Sequence, residues 1–278
     1  MNIREYMNKP FSFLMMILIK LAALVTVAVV LFIVAYILIK GVPNINVSLF
    51  EWEYNTTNVS MLPSIINTLY MTLLTLLFAV PIGIFSAVFL VEYSKRGSKL
   101  VKIIRLTTET LAGIPSIVFG LFGYLAFVIT LGWSYSLIAG ALTLAIMVLP
   151  TIIRTTEEAL LAVPDTYREG SFGLGAGKLR TIFVIILPTA MSGIIAGVIL
   201  AIGRIVGETA ALIFTAGTTA AVPGSLLDSA RTLSVHMYCL LNEGLYTDQA
   251  YATAVVLLVM VIGINALSNL IAKRIAKI

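Results

Sequence analysis

Charge is what this 278-residue sequence lacks most. Asp, Glu, Lys and Arg together make up 11% of it, against about 25% in an ordinary soluble domain. So few charges cannot clothe a water-soluble globule, and a hydrophobic content of 60% makes this a membrane protein. Cysteine is nearly absent: Cys239 stands alone, so no intrachain disulfide forms and the redox compartment cannot be read. The one histidine, His236, has no second metal ligand near it, and no nucleophile–base pair is evident. Nothing in the chain reads as a catalytic or metal site. Long hydrophilic stretches are missing too, so a separate soluble domain has no room to bury a core. One membrane domain over 1–278, with its core at 60–272, is expected.

What is present is a series of apolar runs. A helix needs about 20 apolar residues to cross the hydrocarbon core. Leu21–Ile39 is free of charge and bracketed by Lys20 and Lys40; the first span occupies 11–39 if Lys20 snorkels. No cleavage site follows it, so it reads as a retained span and not a signal peptide. A second lies within Ile65–Val91, with Pro81 and Gly83 placed to bend it. Thr110 to Ile153 carries no charge. At 1.5 Å per residue that stretch is about twice the core thickness, so it predicts two spans turning at Gly132-Trp133-Ser134. A fifth runs from near Ile182 past Arg204, and a sixth covers Tyr251–Ile271. Ten-residue alternation of the barrel type is missing. The expected fold is all-α, with six transmembrane helices.

Basic residues set the orientation. The N-terminal tail, the segments 94–109 and 154–181 and the C-terminal tail hold fourteen of the eighteen Lys and Arg. The loops 41–60, around 132 and 217–249 hold only Arg231, with Lys40 at their edge. Both termini are therefore expected in the cytoplasm. This asymmetry accounts for the net charge of +5 and calls for no nucleic acid.

The polar stretch REGSFGLGAGKLRTIFVIILP, Arg168 to Pro188, interrupts the grease. It is not a P-loop: Phe172 stands where the first glycine belongs, and Leu179 where Ser or Thr would hold magnesium. Tyr167, Gly170, Ser171 and Leu174 fall at i, i+3, i+4 and i+7, which predicts a short helix with one small-and-apolar face, ended by Gly175 and Gly177. Such a helix either docks a partner or merely ties two spans together at the interface. Glu169-Gly170-Ser171, three residues, Gly175, nine residues, Ile185, one residue and Leu187-Pro188 resemble the EAA loop of ABC importer permeases, E-A-A-x3-G-x9-I-x-L-P. Glycine and serine replace the two alanines. The resemblance implies a type I importer permease whose cytoplasmic loop 155–181 seats a short helix in the ATP-binding subunit. Glu169, Gly170, Ser171, Gly175, Leu187 and Pro188 would serve that coupling.

The second unusual stretch is Gly203-Arg204-Ile205-Val206-Gly207-Glu208-Thr209. If the fifth helix continues, Arg204 and Glu208 are i and i+4 and can pair. An arginine in a span costs at least about 2.5–3.5 kcal/mol, so it is read as functional before structural. Its fork matches the oxygens of phosphate or sulfate. The run R-I-V-G-E-T resembles the R-x-x-G-E-T segment of phosphate-specific ABC permeases. Ala112–Gly120, Leu149–Leu160, His236-Met237-Tyr238 and Glu243-Gly244 point the same way, to the A-type member of the permease pair. The resemblance implies a translocation subunit in the cytoplasmic membrane of a bacterium or archaeon, with no cofactor of its own. It further implies a homologous C-type permease, a homodimeric ATPase carrying ATP and Mg, and an extracytoplasmic phosphate-binding protein. Arg204, Glu208 and Thr209 would line the substrate pathway. The residues by themselves leave open another oxyanion, or an ion-coupled transporter in which Glu208 carries protons.

Overall fold

The structure, a computed structural model, describes residues 10–95 and 97–275. Arg4, Lys9, Arg96 and Lys277, on which the orientation partly rests, lie outside the described residues. In chain order the helices are α1 (Pro10–Gly41), α2 (Leu62–Val88), α3 (Lys99–Ala112), α4 (Ser116–Gly123), α5 (Leu137–Leu161) and α6 (Asp165–Gly173). They continue with α7 (Lys178–Thr181), α8 (Leu187–Gly207), α9 (Ala210–Thr215), α10 (Leu233–Glu243) and α11 (Thr247–Ile275). Wider π-helical turns extend α2 through Phe89–Tyr93, extend α4 through Tyr124–Thr130, and join α7 to α8 through Ile182–Ile186.

Phe11–Asn44, Leu62–Tyr93, Leu137–Leu161, Lys178–Gly207 and Thr247–Ile271 are long and apolar enough to cross a membrane. The sixth crossing differs from the expected one. Its apolar helix, Ser116–Thr130, meets α3 at an angle of 104°. Pro115 removes a helix donor and disfavours helical backbone before it, so the chain turns at Gly113–Pro115. The arm before the bend is amphipathic and carries Lys99, Lys102 and Arg105. The arm after it rises about 22 Å, short of the ~30 Å core. The turn to α5 falls where expected, with Gly132 at φ 67° and Ser134 at φ 57°.

The spans alternate between two ends. One end gathers the basic loops around 94–109 and 154–181, and the far end carries 42–61, 131–136 and 208–246. α5 sits at the centre between α2 and α8, and Leu144, Met147 and Ile152 are fully buried there. Burial drives helices together weakly in lipid, so close approach of small residues must do it. Gly193 of α8 faces Ala159 of α5, where a Cβ would come within 2.6 Å of the alanine's, and Gly197 lies similarly against Thr155. Gly193 and Gly197 thus give the fifth span a helix-packing face. α1 stands apart: it touches α11, with Gly41 against the Tyr251 carbonyl and the Tyr36 ring on that of Tyr251, while Leu24, Leu31 and Phe32 point outward.

Candidate functional site

At the basic end the predicted short helix is present as α6. Asp165 in its first turn suits the helix dipole. Leu174 caps it, and Gly175 follows at φ 82°, a conformation that costs other residues strain. Tyr167, Phe172 and Leu174 are 51%, 48% and 91% exposed, and Glu169 and Gly170 are also on the surface. Three apolar side chains on so short a helix thus stand open at the surface and are not tucked into the protein. Ser171 departs from the expected face. It is buried, and its hydroxyl bonds that of Thr181 at 2.8 Å, locking α6 onto α7. Helical period put Ser171 beside Gly170, but the tight return through Gly175 and Gly177 folds α7 back over it.

Leu187 and Pro188 have a different task. Pro188 offers no N–H to the preceding turn and crowds the carbonyl four residues back. The π-helical turn Ile182–Ile186 directly before it makes the room, and the Thr189 hydroxyl satisfies the Ile185 carbonyl at 2.6 Å. The I-x-L-P pattern therefore builds a widened joint between α7 and α8.

Two residues outside the predicted coupling set anchor α6. Arg168 directs Nε and Nη2 at Glu92 Oε1, at 3.0 and 2.8 Å. It also donates to the carbonyls of Val163 and Leu160 at 2.9 and 3.0 Å and to Asp165 at 3.1 Å. The two side chains are only 15% and 9% exposed. One guanidinium thus ties α6 to the extension of α2, to the Leu160 carbonyl of α5 and to the Val163 carbonyl just past it. Glu157 and Glu158 also pair with cations: Glu157 is buried against Arg105 of α3, and Glu158 pairs with Arg154 at 3.0 Å on the surface. Breaking a mostly buried pair costs about 3–5 kcal/mol. Arg168→Gln is therefore expected to leave the spans intact but free α6. Limited proteolysis should cut the 161–177 segment in the variant and spare it in the wild type, and equal resistance would remove the anchoring role.

At the far end α8 stops at Gly207, and this corrects the i, i+4 pair. Glu208 has extended backbone, with φ −72° and ψ 132°. Its carboxylate accepts the Ala211 N–H at 3.1 Å and its carbonyl accepts the Ser234 hydroxyl at 2.6 Å. Glycine weakens the helix, and the carboxylate finds the free N–H of α9 in place of Arg204. Among the described residues Arg204 makes no ion pair or hydrogen bond through its side chain; it is partly exposed, as is Thr209. An unpaired guanidinium near the end of a span is the arrangement expected of an anion contact. Arg204 lies near one end of the 30-residue run Lys178–Gly207, about 45 Å long, and α7, onto which Ser171 locks α6, forms the other end.

Residues 79–277 match the family described as binding-protein-dependent transport system inner membrane component, a match that takes in α6, the widened joint and Arg204. The chain belongs to this family. It is 35% identical over 248 residues to the probable ABC transporter permease protein YqgI of Bacillus subtilis, covering 82% of each. It is 30% identical over 277 residues to the phosphate transport system permease protein PstA of Haemophilus influenzae, covering 97% of this chain and 96% of that one. In fold it is similar to a chain of the crystal structure of a bacterial alginate ABC transporter in complex with its alginate-bound periplasmic protein. The TM-score is 0.72 over 99% of both chains, at 17% identity. The architecture is that of the type I ABC importer permeases, and this inner membrane component is a multi-pass membrane protein of a binding-protein-dependent system.

Proposed function

We propose that this chain is the A-type permease of an ATP-driven phosphate importer in the cytoplasmic membrane. The carrying observation is the single rod that joins an exposed docking knob to an unpaired arginine, in a chain related along nearly its whole length to a phosphate permease. A homologous C-type permease completes the pathway, and an extracytoplasmic binding protein delivers phosphate at the far end. A homodimeric ATPase holding ATP and Mg receives α6 at the basic, cytoplasmic end. Closure of the ATPase displaces α6, and with it α2 and α5 through Arg168 and Glu92. The widened joint at Pro188 converts that displacement into tilting of α8. Arg204 meets the anion as the far end opens, and Glu208 holds the α8–α9 junction in place. This chain performs no chemistry of its own; it moves an ion.

The test is what purifies with the tagged chain from its own membranes, and which face is reached from outside. The expected set is one second permease and two ATPase copies. With Cys239 replaced, an impermeant thiol reagent should label cysteines placed at positions 48 or 226 in intact cells and not at 99 or 178. Purification without an ATPase, or fast labelling at 99, would overturn the assignment.

A further inference from the structure

Arg231 is the one Lys or Arg inside the far-end loops 217–249, and the structure buries it to 4% exposure in the linker before α10. Its backbone is pinned on both sides. The N–H donates to the Thr219 carbonyl at 3.0 Å, and its carbonyl accepts from Asn67 Nδ2 of α2 at 3.2 Å. The same amide donates to the Ala221 carbonyl at 2.9 Å. The guanidinium lies over the Tyr54 ring, 4.7 Å from its centre. Nε and Nη2 are sealed from solvent without a hydrogen-bond partner, and Arg231 has no ion pair among the described residues.

No described carboxylate forms an ion pair with this charge. His236 is fully buried, with neither ring nitrogen bonded. Burial, helped by the charge of Arg231, pushes its pKa down to about 3, so the imidazole is neutral. Asn67 Oδ1 is also without a partner. The face of Tyr54 offsets only part of the cost of desolvating a cation. The two orphaned nitrogens are the side-on pair of the fork. Arg168 uses that same pair to clamp the Glu92 carboxylate oxygen. Arg231 presents the same pair of donors, with no acceptor for them among the described residues.

Two further contacts say where an acceptor would come from. Tyr54, which covers the guanidinium, also lines a pocket of about 320 Å³ at the far end, with Trp52, Glu53 and Ala220–Val222. Three residues on from Arg231, the Ser234 hydroxyl bonds the Glu208 carbonyl just past the end of α8. We propose that Arg231 is a second oxyanion site, which takes a tetrahedral oxyanion side-on once Tyr54 moves aside and passes it on to Arg204. Glu53 lines the same pocket and opposes the anion, which keeps the site weak enough to release it. The inference rests on the reading of this chain as a phosphate permease.

The test uses the assembled importer in vesicles, with radiolabelled inorganic phosphate and saturating loaded binding protein. Arg231→Gln should lower phosphate delivered per ATP at least fivefold. Arg231→Lys, which keeps the charge and loses the fork, should fall between. In Tyr54→Ala, which uncovers the guanidinium, inorganic phosphate should slow modification of Arg231 by phenylglyoxal, read by mass spectrometry. An unchanged delivery ratio in Arg231→Gln, or equal modification rates with and without phosphate, would overturn the proposal. So would a rise in the binding-protein concentration needed for half-maximal hydrolysis, which would assign Arg231 to a protein contact. Failure of the wild type to carry phosphate would instead overturn the phosphate reading itself.

Discussion

Arg204→Gln should lower phosphate uptake about a hundredfold while the complex still assembles. Two hydrogen bonds from a guanidinium to an anion are worth ~3 kcal/mol together, and each 1.4 kcal/mol is a factor of ten. Arg204 has no ion-pair partner within the chain among the described residues, so its removal strands no other charge there. Arg204→Lys keeps the charge without the fork and should retain part of the activity. Glu208→Gln keeps an acceptor for the Ala211 N–H and should be mild, whereas Glu208→Ala loses the contact that starts α9. The double variant Arg204→Gln with Glu208→Gln separates two roles for the arginine. Restored uptake would make Arg204 a structural residue; continued inactivity, with normal membrane abundance by immunoblot, is the expected outcome.

Substitution at Gly170 should produce the second large effect. A Cβ added there meets nothing within 4 Å, and the residue is exposed on α6. Gly170→Ala therefore costs this chain nothing and strengthens the helix by about 1 kcal/mol. Transport should survive it, since the importer loops similar to this one carry alanine. Gly170→Trp projects from the same exposed position, where a Cβ meets nothing within 4 Å, but would not fit a close groove. ATPase recovered with the tagged permease should drop at least tenfold, with the permease itself normally inserted. Gly175→Asp should uncouple for two reasons, since a side chain at φ 82° strains the turn as well as the contact. Wild-type ATPase recovery in Gly170→Trp would remove docking from α6.

Much of the architecture could be read from charge alone. Five long spans follow from runs without Lys, Arg, Asp or Glu, and the turn at Gly132–Ser134 follows from the length of one such run. The third span is shorter and more sharply bent than its charge-free run suggested, for a physical reason: absence of charge measures how much chain is apolar, not where Pro115 bends it. The end of α8 was hidden likewise. Gly207 and Glu208 continue an apolar helical pattern, and only the Ala211 N–H, brought close by the turn into α9, reveals that the carboxylate points away from Arg204. The α6 helix was legible from its period and its glycine stop, yet Ser171 faces inward because α7 folds back upon it. Arg168 and Glu92 are 76 residues apart. No local pattern joins them, although a lone carboxylate at the end of an apolar span was a hint that a cation lay near. Arg231 carried a clearer signal as the one cation within loops otherwise free of Lys and Arg, and its burial is what gives that signal meaning.

The most direct measurement is accumulation of radiolabelled phosphate in vesicles holding the purified complex, with ATP enclosed on the basic side and loaded binding protein supplied at the far end. The expected result is uptake that requires both ATP and the binding protein, stops in Arg204→Gln, and is undiminished by excess sulfate. Uptake driven by a proton gradient without ATP, or sulfate carried in place of phosphate, would contradict it.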